Sequence, residues 1–150
     1  MKRKIKRANE IWYRVTEPEE LFFYALYKFN AYWAVGSVER SAANKVHRAL
    51  NIKLHDYKIE LSTDHLKHFL YSHFDEKRID QRDVCFDDIK EIRDIINLFS
   101  SVDFGNKQDT LIFRRKKPDG IFELVVTIDE NKKILSGKSF RIKNQSCRMS

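Results

Sequence analysis

The sequence predicts an α+β domain in which N-terminal helices are followed by a twisted antiparallel sheet. Before residue 100 apolar residues recur at helical spacing, whereas after residue 109 their period changes to two. Segments 110–115, 121–128 and 133–142 alternate apolar and polar residues, and the short segments between them contain the Asp, Asn, Pro and Gly that hairpin loops use. We therefore expect a C-terminal three-stranded meander plus one earlier strand, at 57–61.

The N-terminal helices are predicted from capping signals and apolar stripes. A capping-box pattern that begins at Thr16 predicts a helix through the aromatic segment to Trp33, and a second apolar stripe predicts a helix over 38–51. These helices divide the chain into two expected parts. Residues 1–55 form a helical N-terminal extension packed on the core, and residues 56–150 form the domain that carries the sheet.

Two further helices are expected within that second part. Ser62 can cap a helix over 63–75, and Asp87 can cap a helix over 88–99 that has an isoleucine-rich buried stripe. The first of these helices carries three of the five histidines of the chain. Its exposed and buried faces therefore matter for function.

Length and composition are those of a soluble globular domain. The chain has 150 residues, of which 42% are hydrophobic, and no apolar run approaches the roughly 18 residues that a membrane helix needs. The basic start MKRKIKR is not followed by the apolar core of a signal peptide. We expect a cytoplasmic protein that has no membrane contact.

The charge is unevenly distributed along the chain. Residues 1–7 carry five Lys or Arg and no acid, residues 8–109 carry 14 basic and 18 acidic side chains, and residues 110–150 carry 10 basic and 4 acidic ones. A basic C-terminal third on a mildly acidic body indicates a surface that binds a polyanion, for which nucleic acid is the usual candidate. An ordinary solvated surface is the alternative.

The histidine-rich helix has three interpretations: a zinc site, acid–base catalysis, or ordinary helix residues. A zinc site needs a third ligand beside His65 and His68, and none is evident, since the two cysteines are far apart in sequence. No metal and no other cofactor are therefore expected. On a helical wheel His73 lies within the apolar arc, so the alternative to a catalytic role is a buried structural histidine. His68 lies nearly opposite, so the alternative for it is an ordinary surface residue. His65 lies on the flank and is interpreted as incidental.

The alternation of the C-terminal strands places four polar side chains on one face of the sheet. Arg114, Glu123, Ser139 and Arg141 occupy the positions opposite the apolar ones. Such a set suits cleavage of the RNA backbone, because one group can take the 2′-hydroxyl proton, another can protonate the leaving oxygen, and cations can stabilise the charge on phosphorus. A solvated strand face is the alternative for each of these residues singly.

Further cations surround this predicted face or lie on the histidine-rich helix, and we expect them to contact RNA phosphates. They are Lys67, Arg115, Lys116, Lys117, Lys138 and Lys143.

These motifs, in this order, resemble the phage-associated branch of the nuclease superfamily that groups barnase, EndoU, colicin-type and RelE-like ribonucleases. The resemblance covers roughly residues 57–143. It includes two histidines five residues apart on a helix, His68 and His73, and a hydroxyl residue before an aromatic one in the closing strand, Ser139 and Phe140.

The resemblance implies a metal-independent endoribonuclease of the toxin or phage-effector kind, which cuts RNA through a 2′,3′-cyclic phosphate. Under this hypothesis His73 or His68 is the acid or base, Glu123 is a candidate base, and Ser139 is a hydrogen-bond donor. Arg114 and Arg141 contact the phosphate, and an immunity or antitoxin protein is expected as a partner. The alternative is a non-catalytic protein of the same fold that binds nucleic acid or a partner protein. A partner-binding module built on the aromatic segment 17–50 is a third interpretation.

Overall fold

The computed structural model describes residues 10–71 and 81–144 and the backbone of residues 3–7. In chain order its elements are β1 (Arg3–Arg7), β2 (Glu10–Val15), α1 (Pro18–Leu26), β3 (Ala31–Ser37), α2 (Arg40–Leu50), β4 (Lys58–Ser62), α3 (Thr63–Tyr71), β5 (Gln81–Arg82), α4 (Phe86–Ile89), α5 (Ile92–Asn97), β6 (Ser101–Phe104), β7 (Thr110–Lys117), β8 (Gly120–Asp129) and β9 (Ile134–Lys143). The last part of the helix predicted over 63–75, residues 72–75 with His73, lies outside the described residues.

The strands described here form one mixed sheet. Its order is β1-β2-β3-β4-β9-β8-β7-β6, and the short strand β5 also pairs with β9. Two pairs are parallel, β2 with β3 and β4 with β9, and the remaining pairs are antiparallel. The three strands β7, β8 and β9 form the C-terminal meander that the sequence predicts.

The predicted order of N-terminal helices followed by an antiparallel sheet is wrong. Strands β1 and β2 precede the first helix, and that helix ends at Leu26 instead of continuing to Trp33. The chain then enters the centre of the sheet as β3, where Ala31, Tyr32 and Trp33 are all buried. Because consecutive residues of β3 are buried, this strand lacks the polar–apolar alternation by which a half-exposed strand is recognised in sequence.

The helices pack on one face of the sheet and leave the other face open. Phe69 of α3 lies with its ring centre 5.7 Å from that of Phe140 in β9, and Phe99, just after α5, lies 5.5 Å from Phe113 in β7. Helix α1 packs on β3 and on α3, and α2 packs on α5 and β6. We call this side the helix-bearing face and the opposite side the open face.

Helix α3 begins as the sequence predicts. The Oγ of Ser62 accepts a hydrogen bond from the backbone N–H of His65 at 3.1 Å, which confirms Ser62 as the residue that caps the first turn. The same Oγ lies 3.0 Å from Nδ1 of His65. This arrangement holds the imidazole of His65 where β4 ends and α3 begins.

The helix predicted over 88–99 is divided into α4 and α5. Asp88 lies in the first turn of α4 and accepts hydrogen bonds from the backbone N–H of Cys85 at 2.9 Å and from Arg82 at 2.8 and 3.0 Å. These contacts fix a short first helix. The chain then turns at 90–91 before α5 packs on the sheet.

Candidate active site on the open face of the sheet

Three charged residues lie side by side across β7, β8 and β9. The strand register pairs Arg114 with Glu123, and Glu123 with Arg141. Directly paired residues project from the same face of a sheet. The three side chains therefore share the open face, as the alternation of the strands predicts, while Phe122 and Phe140 lie on the helix-bearing face.

The carboxylate of Glu123 is the centre of this group. It accepts a hydrogen bond from Nε of Arg114 at 2.8 Å and lies 3.4 Å from Nζ of Lys143. Arg114 also donates to Oδ2 of Asp103 in β6 at 2.7 Å. Only 7% of Glu123 is exposed, so its charge depends on these neighbours rather than on water.

The ionisation of Glu123 is set by two opposing effects. Burial raises the pKa of its carboxyl group, but the hydrogen bond from Arg114 and the charges of Lys143 and Arg114 outweigh burial, and the pKa lies below its ordinary value. Glu123 is therefore ionised at neutral pH. A carboxylate with a lowered pKa is also a weaker proton acceptor.

Arg141 completes the row on β9. Its Nε atom is buried and has no hydrogen-bond partner within the part of the chain that the structure describes. Buried polar atoms in native proteins are nearly always paired, and those that are not commonly mark a place where a ligand or a water molecule binds. Arg141 as a whole is only half-buried, so the accessible part of its side chain, rather than this buried atom, can meet an acceptor at the open face.

A β-bulge shapes β9 beside Arg141. Val125 pairs with Ser139 and Val126 with Gly137, so Lys138 is an extra residue between them. Bulges re-aim side chains and often occur near functional sites. The bulge brings Ser139 into register with Val125 on the open face.

The predicted rim cations divide between the two faces. Lys116 pairs with Ile121 and Lys143 contacts Glu123, so both belong to the open face. Arg115 lies 4.0 Å from Asp94 of α5, and Lys117 lies 4.8 Å above the ring centre of Phe122, so both lie on the helix-bearing face. Lys67, the predicted phosphate-binding cation on α3, lines a groove between α1 and α3.

His65, at the start of α3, lies within electrostatic range of Lys138 in the bulge of β9. Burial lowers the pKa of His65, Asp64 acts in the opposite direction, and electrostatic interactions with His68 and Lys138 lower it further. His68 itself is exposed. The start of α3 and the bulge in β9 therefore form one electrostatic neighbourhood.

The lowered pKa of His65 predicts a pH dependence of stability. The unfolded chain binds a proton at this imidazole near pH 6.5, while the folded protein does so only at lower pH. Folding stability at this site is therefore complete above about pH 6.5 and is lost as the pH falls through the folded pKa. Urea denaturation at pH 7.5 and 5.5 should show that His65→Gln reduces the loss of stability. His55→Gln, on the loop before β4, should not, and equal losses for all three proteins would contradict this prediction.

Two residues of the wider candidate site are not identified by the sequence: Asp103 beside Arg114, and His65 beside the bulge. Asp103 lies in β6, a strand that was not predicted, and its ion pair with Arg114 could not be anticipated. His65 was interpreted as incidental. The signal that could have identified it is its position three residues after the capping Ser62.

The described residues include neither a group of metal ligands nor a helix that could cross a membrane. Within residues 10–71 and 81–144, no three His, Cys, Asp or Glu side chains are grouped as a bound metal ion would require. No helix in this part of the chain is long and apolar enough to cross a membrane.

A row of cations around a buried carboxylate, on an open sheet face of an α+β domain, is a surface suited to a nucleic-acid backbone. Residues 36–148 match the model of the family described as phage-Barnase-EndoU-ColicinE5/D-RelE like nuclease3, so the chain belongs to this family of nuclease-like domains. No curated protein and no solved structure matches the chain.

Proposed function

We propose that this protein is a metal-independent endoribonuclease that cuts RNA by attack of the 2′-hydroxyl on the adjacent phosphorus. The row Arg114–Glu123–Arg141 on the open face carries this proposal, because it holds two guanidinium groups on either side of a buried carboxylate on one face of the sheet. Membership of a nuclease-like family supports it. The cleavage forms a 2′,3′-cyclic phosphate and breaks the bond from phosphorus to the 5′-oxygen.

The phosphate of the substrate binds at Arg141. The guanidinium of Arg141 donates to a non-bridging oxygen, and the hydroxyl of Ser139, on the same face of β9, donates to a second oxygen of the same phosphate. Arg114 supplies further positive charge from β7. Donors that are already oriented stabilise the charge that develops on phosphorus without reorganising in the transition state. The rim lysines Lys116 and Lys143 contact the phosphates on either side.

Proton transfer is assigned to a histidine of α3, a helix that packs on the face opposite Arg141. The RNA must therefore pass around β9 beside the bulge at Lys138 for an imidazole to reach the phosphate. The pKa of Glu123 is lowered, and its carboxylate is already engaged by Arg114 and Lys143. Glu123 is therefore a weak base, and in this proposal its role is to hold the cations in place. His68 takes the 2′-hydroxyl proton or protonates the leaving 5′-oxygen, and His73, outside the described residues, is the second candidate for these roles.

In this proposal the catalytic unit comprises residues 56–150, and residues 1–55 add further strands and an aromatic surface. The protein acts as a toxin or phage effector in the cytoplasm, and an immunity or antitoxin protein restrains it. Expression in bacteria should therefore be poorly tolerated unless such a partner is present or a residue of the site is changed.

The reaction is tested with purified protein and a defined single-stranded RNA in EDTA. We expect fragments that end in a 2′,3′-cyclic phosphate and a 5′-hydroxyl. The same sequence made as 2′-O-methyl RNA lacks the attacking hydroxyl and should stay intact. Intact RNA across several preparations and pH values would refute the enzymatic proposal, as would equal cutting of the 2′-O-methyl chain.

A non-catalytic binding protein is the second candidate function. The ion pairs that already occupy Glu123 favour it, because they leave this carboxylate poorly suited to proton transfer. Binding without cleavage should weaken steeply as salt is raised, since each phosphate contact releases counterions. His68→Ala should then leave binding unchanged, whereas the nuclease proposal requires it to lower the rate of cleavage.

A further inference from the structure

A cleft walled by aromatic side chains lies at the opposite side of the sheet from Arg141. Its cavity of about 330 Å³ is lined by Tyr13 of β2, Phe23 and Tyr24 of α1, and Phe29 of the turn after α1. The ring centres of Tyr13 and Tyr24 are 5.4 Å apart, and that of Phe29 lies 6.2 Å from Tyr13 and 6.1 Å from Tyr24. We call this feature the aromatic cleft.

Two of the four rings that line the aromatic cleft are exposed, while those of Tyr13 and Tyr24 are half-buried. Phe23 and Phe29 are each 55% exposed, and the neighbouring Tyr27 is 63% exposed. Backbone hydrogen bonds nevertheless hold the cleft in place, since the N–H of Phe29 donates to Tyr24 O and the N–H of Tyr13 donates to Asn30 O, each at 3.0 Å. A clustered exposed apolar surface on a rigid frame is typical of a binding site.

The charge around the aromatic cleft indicates which ligand it takes. Its four lining residues carry no charge. The nearby acid Glu10, which accepts a hydrogen bond from Asn30, pairs in register with Arg7 of β1, whose sequence RKIKR is basic at four of five positions and sets Lys4 opposite Tyr13. A cationic ligand, which an aromatic cage can bind, would be repelled by this strand. Flat rings beside a basic strand suit a ligand with planar apolar groups on a negatively charged backbone.

We propose that the aromatic cleft binds an unpaired base of single-stranded RNA by stacking, with β1 beside the phosphates of the same chain. The choice of RNA rests on the proposed function. Tyr13 pairs with Ala31 on the helix-bearing face, so the cleft is separate from the row Arg114–Glu123–Arg141. It acts as a second anchor that holds the RNA chain while another part of it lies at the site of cleavage.

The proposal is tested by binding of a labelled, short single-stranded 2′-O-methyl RNA, which cannot undergo attack by a 2′-hydroxyl. A second chain of the same length has abasic units in place of its bases. Phe29→Ala should weaken binding of the first chain roughly tenfold, within a range of about 5- to 100-fold for the loss of one stacked base. The abasic chain should bind the wild type weakly and should bind Phe29→Ala equally weakly.

Two further variants separate stacking from folding. Phe29→Leu keeps apolar volume but removes the ring, so it should weaken binding as Phe29→Ala does, whereas a merely structural role would be rescued by Leu. Phe104→Ala changes a phenylalanine that is equally exposed, at 58%, but lies at the end of β6. This matched control should bind as the wild type does.

Three outcomes would overturn the proposal. They are equal affinity of the wild type for the base-containing and abasic chains, unchanged binding by Phe29→Ala, and loss of self-association by Phe29→Ala with RNA binding intact, which would make the cleft a protein interface. Cleavage of ordinary RNA is measured separately. Base-dependent binding without cleavage would support base stacking in the aromatic cleft and refute the proposed nuclease activity. Cleavage without base-dependent binding would refute only the proposal for the aromatic cleft.

Discussion

Replacing Arg141 by alanine is expected to lower the rate of RNA cleavage by about 10²- to 10³-fold, the usual cost of removing one oriented donor to a transition state. The guanidinium of Arg141 lies in register with Glu123 and is the donor to the proposed phosphate site. Its loss removes both the donor and a positive charge from the phosphate site. The measurement is the initial rate of cleavage of a defined RNA at saturating and subsaturating substrate.

Arg115→Ala is the matched control for this variant. It removes the same charge from the same sheet, but Arg115 pairs with Phe122 in register and lies near Asp94 on the helix-bearing face. We expect it to change cleavage only slightly, through weaker general attraction of RNA. Equal losses for both variants would mean that net charge alone matters. Full cleavage activity of Arg141→Ala would contradict the proposal that the open face is the catalytic site.

The variant Arg141→Lys tests whether a positive charge alone suffices at this position. Arg141→Lys keeps the charge but lacks the Nε–H and the planar fork of the guanidinium, so the two substitutions are not equivalent at an oriented phosphate site. We expect this variant to bind RNA about as well as the wild type and to cleave it nearly as slowly as Arg141→Ala. Restored cleavage would show that a positive charge suffices there.

The C-terminal meander was predictable because its strands are half exposed. In β8 the positions of Phe122, Leu124 and Val126 face the helices, and the intervening positions face outward. A strand with one covered face leaves a period of two in its sequence. The same alternation sufficed to predict that Arg114 and Glu123 share a face.

The N-terminal half was harder to predict for two physical reasons. Strand β3 is buried in the middle of the sheet, so its aromatic and small apolar residues carry no alternation and continue the helical stripe of α1. Strands β1, β5 and β6 are short or lie at edges, where neither face needs a consistent apolar pattern. Their pairing depends on distant partners that no local window contains.

The candidate site was predictable as a set of residues but not as a network. Strand alternation identifies the face of Glu123, yet its burial and its contact with Lys143 depend on how the sheet curves. The bulge at Lys138 directly follows Gly137, and a glycine inside a strand often marks a bulge, but the sequence alone does not say which residue is left unpaired. The lowered pKa of Glu123 follows from its contacts, so the proposal that Glu123 holds the cations in place instead of acting as the base depends on the structure.

Phe140→Ala is expected to cause the largest loss of stability, because this ring joins α3 to the sheet directly behind the candidate site. Phe140 is 1% exposed, and its ring centre lies 5.7 Å from that of Phe69 and 6.1 Å from that of Phe122. Removing a buried phenylalanine costs about 3–5 kcal/mol through lost burial and the cavity that remains. The whole free energy of unfolding of a domain of this size is roughly 5–15 kcal/mol.

The free energy of unfolding from urea titration measures this effect, and Phe104→Ala, at an exposed position, should change it by no more than about 0.5 kcal/mol. A loss below about 1 kcal/mol for Phe140→Ala would contradict the packing described for β9. Because Ser139 and Arg141 flank Phe140 on the same strand, the packing of this ring also holds both polar side chains on the open face. Phe140→Ala should therefore reduce cleavage together with stability, whereas Arg141→Ala should reduce cleavage alone, and this difference separates the support of the site from its chemistry.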